Sequence, residues 1–135
     1  MAVVDASVIT SLFHLGDVNH GLARSWYERA RSSGEPLQAP ALLLSEVAAA
    51  FGRSINNPER GLRVTNEIID HKLIGILPVT VTMARLAAEI AATTNMKGCD
   101  AIYVALAAQL NQVLVTFDSE QLERGAAVTR VERPA

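Results

Sequence analysis

Four acidic residues, Asp5, Glu46, Asp100 and Asp118, stand in unusually apolar surroundings. Asp5 closes the run Ala2-Val3-Val4, and Asp118 follows Val113-Leu114-Val115-Thr116-Phe117. Asp100 opens the apolar run Ala101 to Ala108, interrupted in polarity only by the Tyr103 hydroxyl. From Ala39 to Phe51 the only polar side chains are Ser45 and Glu46. On a helix, Leu42, Leu43, Ala49 and Ala50 flank Glu46 at positions three and four residues away. An ionised carboxylate on such an inward face is costly unless it is paired or bound to a metal.

Brought together, these acids would repel one another. Two carboxylates ~5 Å apart at an effective dielectric of ~20 repel by roughly 3 kcal/mol, against a net domain stability of only ~5–15 kcal/mol. Lysine is scarce in these segments, Lys97 being the only one close in sequence. A divalent cation is the economical compensator. Hard oxygen donors with no His or Cys cluster favour Mg²⁺ or Mn²⁺ over Zn²⁺. One or two such ions can activate a water and stabilise a leaving oxygen in phosphodiester hydrolysis.

Whether the acids meet depends on the elements that carry them. Ala2-Val3-Val4 reads as a strand buried on both faces, followed by a helix from Ala6 to Phe13. Asp17 is a candidate cap for a helix from Val18 to about Ser32, with Val18, Leu22, Trp26 and Ala30 on its inner stripe. Leu37-Gln38-Ala39 is a short strand. Pro40 suits the first turn of a helix reaching Ser54, and Asn57-Pro58 starts another that runs to about Lys72. Gly75 to Val79 is a strand whose Pro78 marks an end or a sheet edge. A helix over Thr82–Thr93 buries Leu86, Ala87, Ile90 and Ala91, and a second runs from Asp100 to about Leu110. Val113 to Thr116 is a strand, a short helical turn surrounds Gln121-Leu122, and a last strand spans Val128 to Val131.

Strands alternating with helices predict an α/β fold, with a mainly parallel sheet between helical layers. Asp5 and Asp118 then lie on the carboxyl edge, where open α/β sheets place their ligands. Glu46 and Asp100, early in their helices, fall on the same rim.

The bulk properties fit one domain spanning residues 1–135. Half of the residues are hydrophobic, and the mean hydropathy is +0.21 with a pI of about 5.9. The net charge of -2 neither supports nor excludes a nucleic-acid substrate, since 12 basic residues remain available. The single Cys99 allows no intramolecular disulfide. No signal peptide or bilayer-length apolar run is visible, so a soluble cytoplasmic protein with no membrane partner is expected.

Val3-Val4-Asp5-Ala6-Ser7, Ser45-Glu46-Val47, Gly98-Cys99-Asp100-Ala101-Ile102-Tyr103-Val104-Ala105 and Leu114-Val115-Thr116-Phe117-Asp118 together resemble the PIN-domain ribonucleases. The compact size is similar to that of the VapC toxins of toxin–antitoxin pairs. The resemblance spans essentially the whole chain and implies a three-layer α/β/α fold around a five-stranded parallel sheet. It implies metal ligation by residues matching Asp5, Glu46, Asp100 and Asp118, with Ser7 and Thr116 as polar neighbours. It further implies Mg²⁺- or Mn²⁺-dependent RNA cleavage leaving 5′-phosphate and 3′-hydroxyl ends, a homodimer, and inhibition by a VapB-type antitoxin. Cys99 departs mildly from the family pattern, where a small residue such as Ala is common. Glu120 is a candidate fifth, outer acid.

Simpler roles exist for most of these residues. Asp5 and Asp100 also suit helix N-caps, Asp118 a turn, Ser7 a cap, and Thr116 a strand with a satisfied hydroxyl. Glu46 has no such alternative. His14, His20 and His71 show no ligand spacing and read as surface residues, and Cys99 as a small buried one. Trp26 reads as core, or as a contact for a partner helix if exposed. Arg24, Arg29, Arg31, Arg53, Arg60, Arg63 and Arg85 read as solvated. Two other functional classes share an acidic sheet edge. A phosphoacceptor signalling domain would need a Lys after a late strand, whereas Lys72 and Lys97 both precede the Val113 strand. A non-catalytic binding module would not need all four acids.

Overall fold

The computed structural model describes residues 1–135. Strand β1 (Ala2–Val4) leads into α1 (Ala6–Phe13) and α2 (His20–Ser32), then β2 (Leu37–Pro40), α3 (Leu42–Arg53) and α4 (Pro58–Asp70). Strand β3 (Gly75–Leu77) is followed by α5 (Val81–Thr94), α6 (Gly98–Leu110), β4 (Val113–Val115), α7 (Ser119–Arg124), a 3-10 turn over Gly125–Ala127, and β5 (Val131–Glu132). The five strands form one sheet in the order β3-β2-β1-β4-β5, with every neighbouring pair parallel.

This order makes β1 the centre. Chain connections run outward through β2 to β3, then return across the sheet to β4 and β5. Right-handed crossovers travelling in opposite directions lie on opposite faces of a parallel sheet, which yields the three-layer α/β/α arrangement expected. Helices α1 to α4 pack among themselves, while α5 packs on α6, and α6 lies along β1, β2 and β4. Burial on both faces explains why β1 is wholly apolar and why Ala101 and Tyr103 through Ala107 are all buried. The carboxyl ends of β1 and β4 flank the point where the strand order reverses, the crevice in which such sheets bind ligands.

Several local expectations are corrected. Pro40 ends β2, in register with Leu77, instead of opening a helix; its missing N–H is harmless at a strand end. Helix α2 starts at His20, because Asp17 Oδ1 accepts the Asn19 amide at 2.7 Å and closes a turn ahead of the helix. The inner stripe shifts accordingly. Ala23 and Ala30 are buried and Trp26 is half-buried, while Val18 is 95% exposed and Leu22 49% exposed. In α5 the buried set is Met83, Ala87 and Ile90, with Leu86 and Ala91 at its margin.

The last strand comes later than predicted. The amides of Val128 and Thr129 both turn back to the Gly125 carbonyl, at 2.9 and 3.0 Å, so pairing with β4 begins only at Val131. Strand β3 stops at Leu77, before Pro78, and it is an edge strand. Cys99 is exposed in the first turn of α6, contrary to its reading as a buried residue. His14 and His20 are half-buried and only His71 is exposed; His20 Nδ1 lies 2.9 Å from the Ser11 carbonyl oxygen. Of the arginines read as solvated, Arg60 is half-buried and donates to the Phe13 carbonyl at 3.1 Å. No helix is long and apolar enough to cross a membrane.

Candidate active site

Asp5 is the residue after β1 and the N-cap of α1, and it is 6% exposed. Its Oδ2 accepts the Ser7 amide at 3.0 Å and the Thr116 hydroxyl at 3.2 Å. Its Oδ1 accepts Nε2 of Gln121 at 3.3 Å. Asp118 caps α7 and accepts the Gln121 amide at 2.8 Å. The cap and turn roles foreseen for Asp5 and Asp118 therefore hold, and they fix both carboxylates at the sheet crevice.

Asp100 is not a cap. Lys97 occupies that position, and Asp100 is the third residue of α6, half-buried. Glu46 lies in the second turn of α3, also half-buried, and its Oε1 accepts the Tyr103 hydroxyl at 2.5 Å. Close packing of α4 on α3 holds that turn. A Cβ on Gly61 would stand 2.9 Å from Phe51 Cβ, so a larger residue there would push the helices apart.

Ser7 and Thr116 form a linked pair. A threonine hydroxyl has one hydrogen. With that hydrogen on Asp5, the Thr116 Oγ1 accepts the Asp118 amide at 2.9 Å and faces Ser7 Oγ at 3.3 Å. The Ser7 hydroxyl is then the donor of that contact while accepting the Phe117 amide at 3.0 Å. Both hydroxyls thus tie the ends of β1 and β4 together, and Ser7 does not cap α1. Glu120 stands outside this network, 4.0 Å from Arg124.

The four acids share one electrostatic environment. Burial raises the Asp100 carboxyl from an ordinary 3.8 to about 6, and Asp118, Asp5 and Glu46 add to the rise, with Lys97 opposing it weakly. Burial also raises Glu46, against the Tyr103 hydrogen bond and with help from Asp5. Tyr103, fully buried, is held far above the usual phenol range by burial and by the Asp5 charge, so it stays a donor. None of the four acids takes part in an ion pair.

The acids are gathered but not clustered. No three His, Cys, Asp or Glu side chains stand close enough together to hold one ion. The donor chemistry, carboxylate oxygens alone, suits a hard divalent cation.

Sequence reasoning missed Tyr103 and Gln121. Tyr103 lies three residues beyond Asp100, one helical turn away on the same side, which was a readable signal. Gln121 offered none, since a glutamine in a short terminal helix is ordinarily exposed.

The PIN domain model matches residues 2–127, and the chain belongs to the PIN domain family. No curated protein matches it. Among solved structures, VapC20 of Mycobacterium tuberculosis, a Sarcin-Ricin loop cleaving toxin, is 20% identical with a TM-score of 0.76, covering 94% of this chain and 95% of that one. FitAcB from Neisseria gonorrhoeae is 17% identical with a TM-score of 0.75, covering 99% and 98%. A chain of DNA-bound VapBC from Salmonella typhimurium is 18% identical with a TM-score of 0.74, again covering 99% and 98%. These likenesses show the shared fold.

Proposed function

We propose that the protein is a divalent-metal-dependent endoribonuclease acting as the toxin of a toxin–antitoxin pair, with all of residues 1–135 forming one PIN domain. One observation carries the catalytic part of the reading: the Asp100 carboxyl lies within the field of three other acids, with no ion-pair partner for any of them. An acidic rim with no ion-pair partner, opposed only weakly by Lys97, fits a site that receives its positive charge from outside. Membership of the PIN domain family supports the nuclease assignment, and the toxin–antitoxin assemblies among its structural likenesses support the toxin role.

In this reading Asp5, Glu46, Asp100 and Asp118 hold Mg²⁺ or Mn²⁺. The bound ion would supply charge neutralisation and an activated water for phosphodiester hydrolysis. The protein's own contribution is placement. Asp5 and Asp118 are fixed as helix caps at the sheet crevice, and the Ser7–Thr116 pair locks the loops between them. Tyr103 holds Glu46 toward the same rim. The partners proposed are an RNA substrate, a VapB-type antitoxin and a second copy of the chain, in the cytoplasm.

Purified protein incubated with RNA and Mg²⁺ or Mn²⁺ should cleave internally, leaving 5′-phosphate and 3′-hydroxyl ends. Cleavage that survives EDTA, or that persists in Asp5→Asn purified free of other nucleases, would refute the mechanism. Growth arrest on expression, relieved by a co-expressed antitoxin, tests the toxin role separately.

A further inference from the structure

Gln121 is fully buried in α7, and it touches three of the four acid-bearing residues. Its Nε2 donates to Asp5 Oδ1 and to the main-chain carbonyl of Asp100, each at 3.3 Å. Its backbone amide donates to Asp118 Oδ1 at 2.8 Å. The orientation of the amide follows from chemistry. An ionised carboxylate and a carbonyl are both acceptors, so only the NH₂ end can face them.

The opposite end is left without a partner. Gln121 Oε1 is buried and accepts no hydrogen bond. A buried orphan acceptor is a cost to folding, and a leucine or methionine of similar size would avoid it only by leaving Asp5 Oδ1 without its donor. The side chain is therefore a poor choice as core filling and a good one as a tether. Asp5 Oδ2 has two other donors, the Ser7 amide and the Thr116 hydroxyl, whereas Gln121 is the donor on Oδ1.

We propose that Gln121 is a positioning residue, which fixes the Asp5 carboxylate against the first turn of α6 so that Asp5 and Asp100 can share one divalent cation. The inference rests on the metal-dependent reading above. Outer partners of this kind orient the ligands of a cation, and their loss typically weakens binding about 10–100-fold.

The test is Mn²⁺ titration calorimetry on the full chain, together with metal-free melting temperatures, for wild type, Gln121→Leu, Gln121→Met and Gln112→Leu. Gln112 is the control. It too is buried with an unpartnered Oε1, but it donates to Gln38 at the opposite end of the strands. Both Gln121 variants should bind Mn²⁺ about tenfold more weakly or worse, with a lowered metal-free melting temperature because the buried Asp5 Oδ1 loses its donor. Gln112→Leu should leave Mn²⁺ affinity unchanged. Wild-type affinity in the Gln121 variants, with or without a drop in melting temperature, overturns the role of Gln121 and leaves the metal-dependent reading intact. The same loss of affinity in Gln112→Leu also overturns it, as a general effect of core disturbance. Absence of Mn²⁺ binding by wild type overturns both.

Discussion

The hydroxyl of Tyr103 donates to Oε1 of Glu46 at 2.5 Å, joining α6 to α3 across the rim that carries the four acids. The bond connects residues 57 positions apart in the chain. Because burial and the Asp5 charge keep the phenol protonated, the donor is permanent. Glu46 is thereby held in one orientation and its raised proton affinity is partly restrained.

Tyr103→Phe keeps the ring and removes the donor. Hydrogen bonds to charged groups contribute about 1.5–3 kcal/mol when buried, and Glu46 is only half-buried, so a loss near the lower end, about 1.5 kcal/mol, is expected in denaturant unfolding. RNA cleavage should fall roughly tenfold or more, because a freed Glu46 no longer faces the rim in one orientation. Unchanged cleavage would show that Glu46 needs no fixing.

The raised Asp100 sets a pH dependence whose sign is definite. Its carboxyl binds a proton more tightly in the folded chain (about 6) than in the ordinary state (3.8). The contribution is fully present below the lower value and is lost as pH rises through the higher one. Glu46 shifts in the same direction. In EDTA, the wild type should therefore lose melting temperature from acid toward neutral pH relative to Asp100→Asn. At neutral pH the Asn variant should be the more stable, by about 1 kcal/mol after allowance for a half-exposed carboxyl. Parallel melting curves for the two proteins across this range would contradict the combined effect of burial and neighbouring acids on Asp100.

The order of elements and the rim positions of the acids were legible because they follow from short-range pattern. A wholly apolar β1, the β-branched Val113-Leu114-Val115 and the Ala-rich α6 each declare themselves locally. Partner choice was not legible. The spacing of Tyr103 from Asp100 hints at its side of α6 but not at its partner Glu46 on α3, and the donors on Asp5 include Thr116 and Gln121, more than a hundred residues away. Val18 misled because an i+4 stripe fits a helix whether it starts at residue 18 or 20, and only the Asp17 turn decides. Val128 misled because its β propensity yields to the turn closed on Gly125.

If the rim awaits a cation, binding should stabilise the fold. An ion present at about a hundred times its dissociation constant contributes about 2.7 kcal/mol to the folded state, a rise of roughly 10 °C in Tm for a domain of this size. Mg²⁺ or Mn²⁺ should produce this rise in wild type and a much smaller one in Asp100→Asn, while Na⁺ at matched ionic strength should produce little. An equal rise in both proteins would place the ion elsewhere.

Asp118 has two separable duties, and two substitutions divide them. As N-cap it accepts the Gln121 amide at 2.8 Å, a role that Asn fills nearly as well and Ala does not. As part of the rim it adds to the charge acting on Asp100, which neither Asn nor Ala supplies. Asp118→Ala should therefore lose about 1 kcal/mol of metal-free stability from the cap, partly offset by relief of repulsion, whereas Asp118→Asn should keep the cap and gain from the relief. Both should lose metal-dependent stabilisation and RNA cleavage together. Full cleavage by Asp118→Asn would reduce Asp118 to its capping role and leave Asp5, Glu46 and Asp100 as the site.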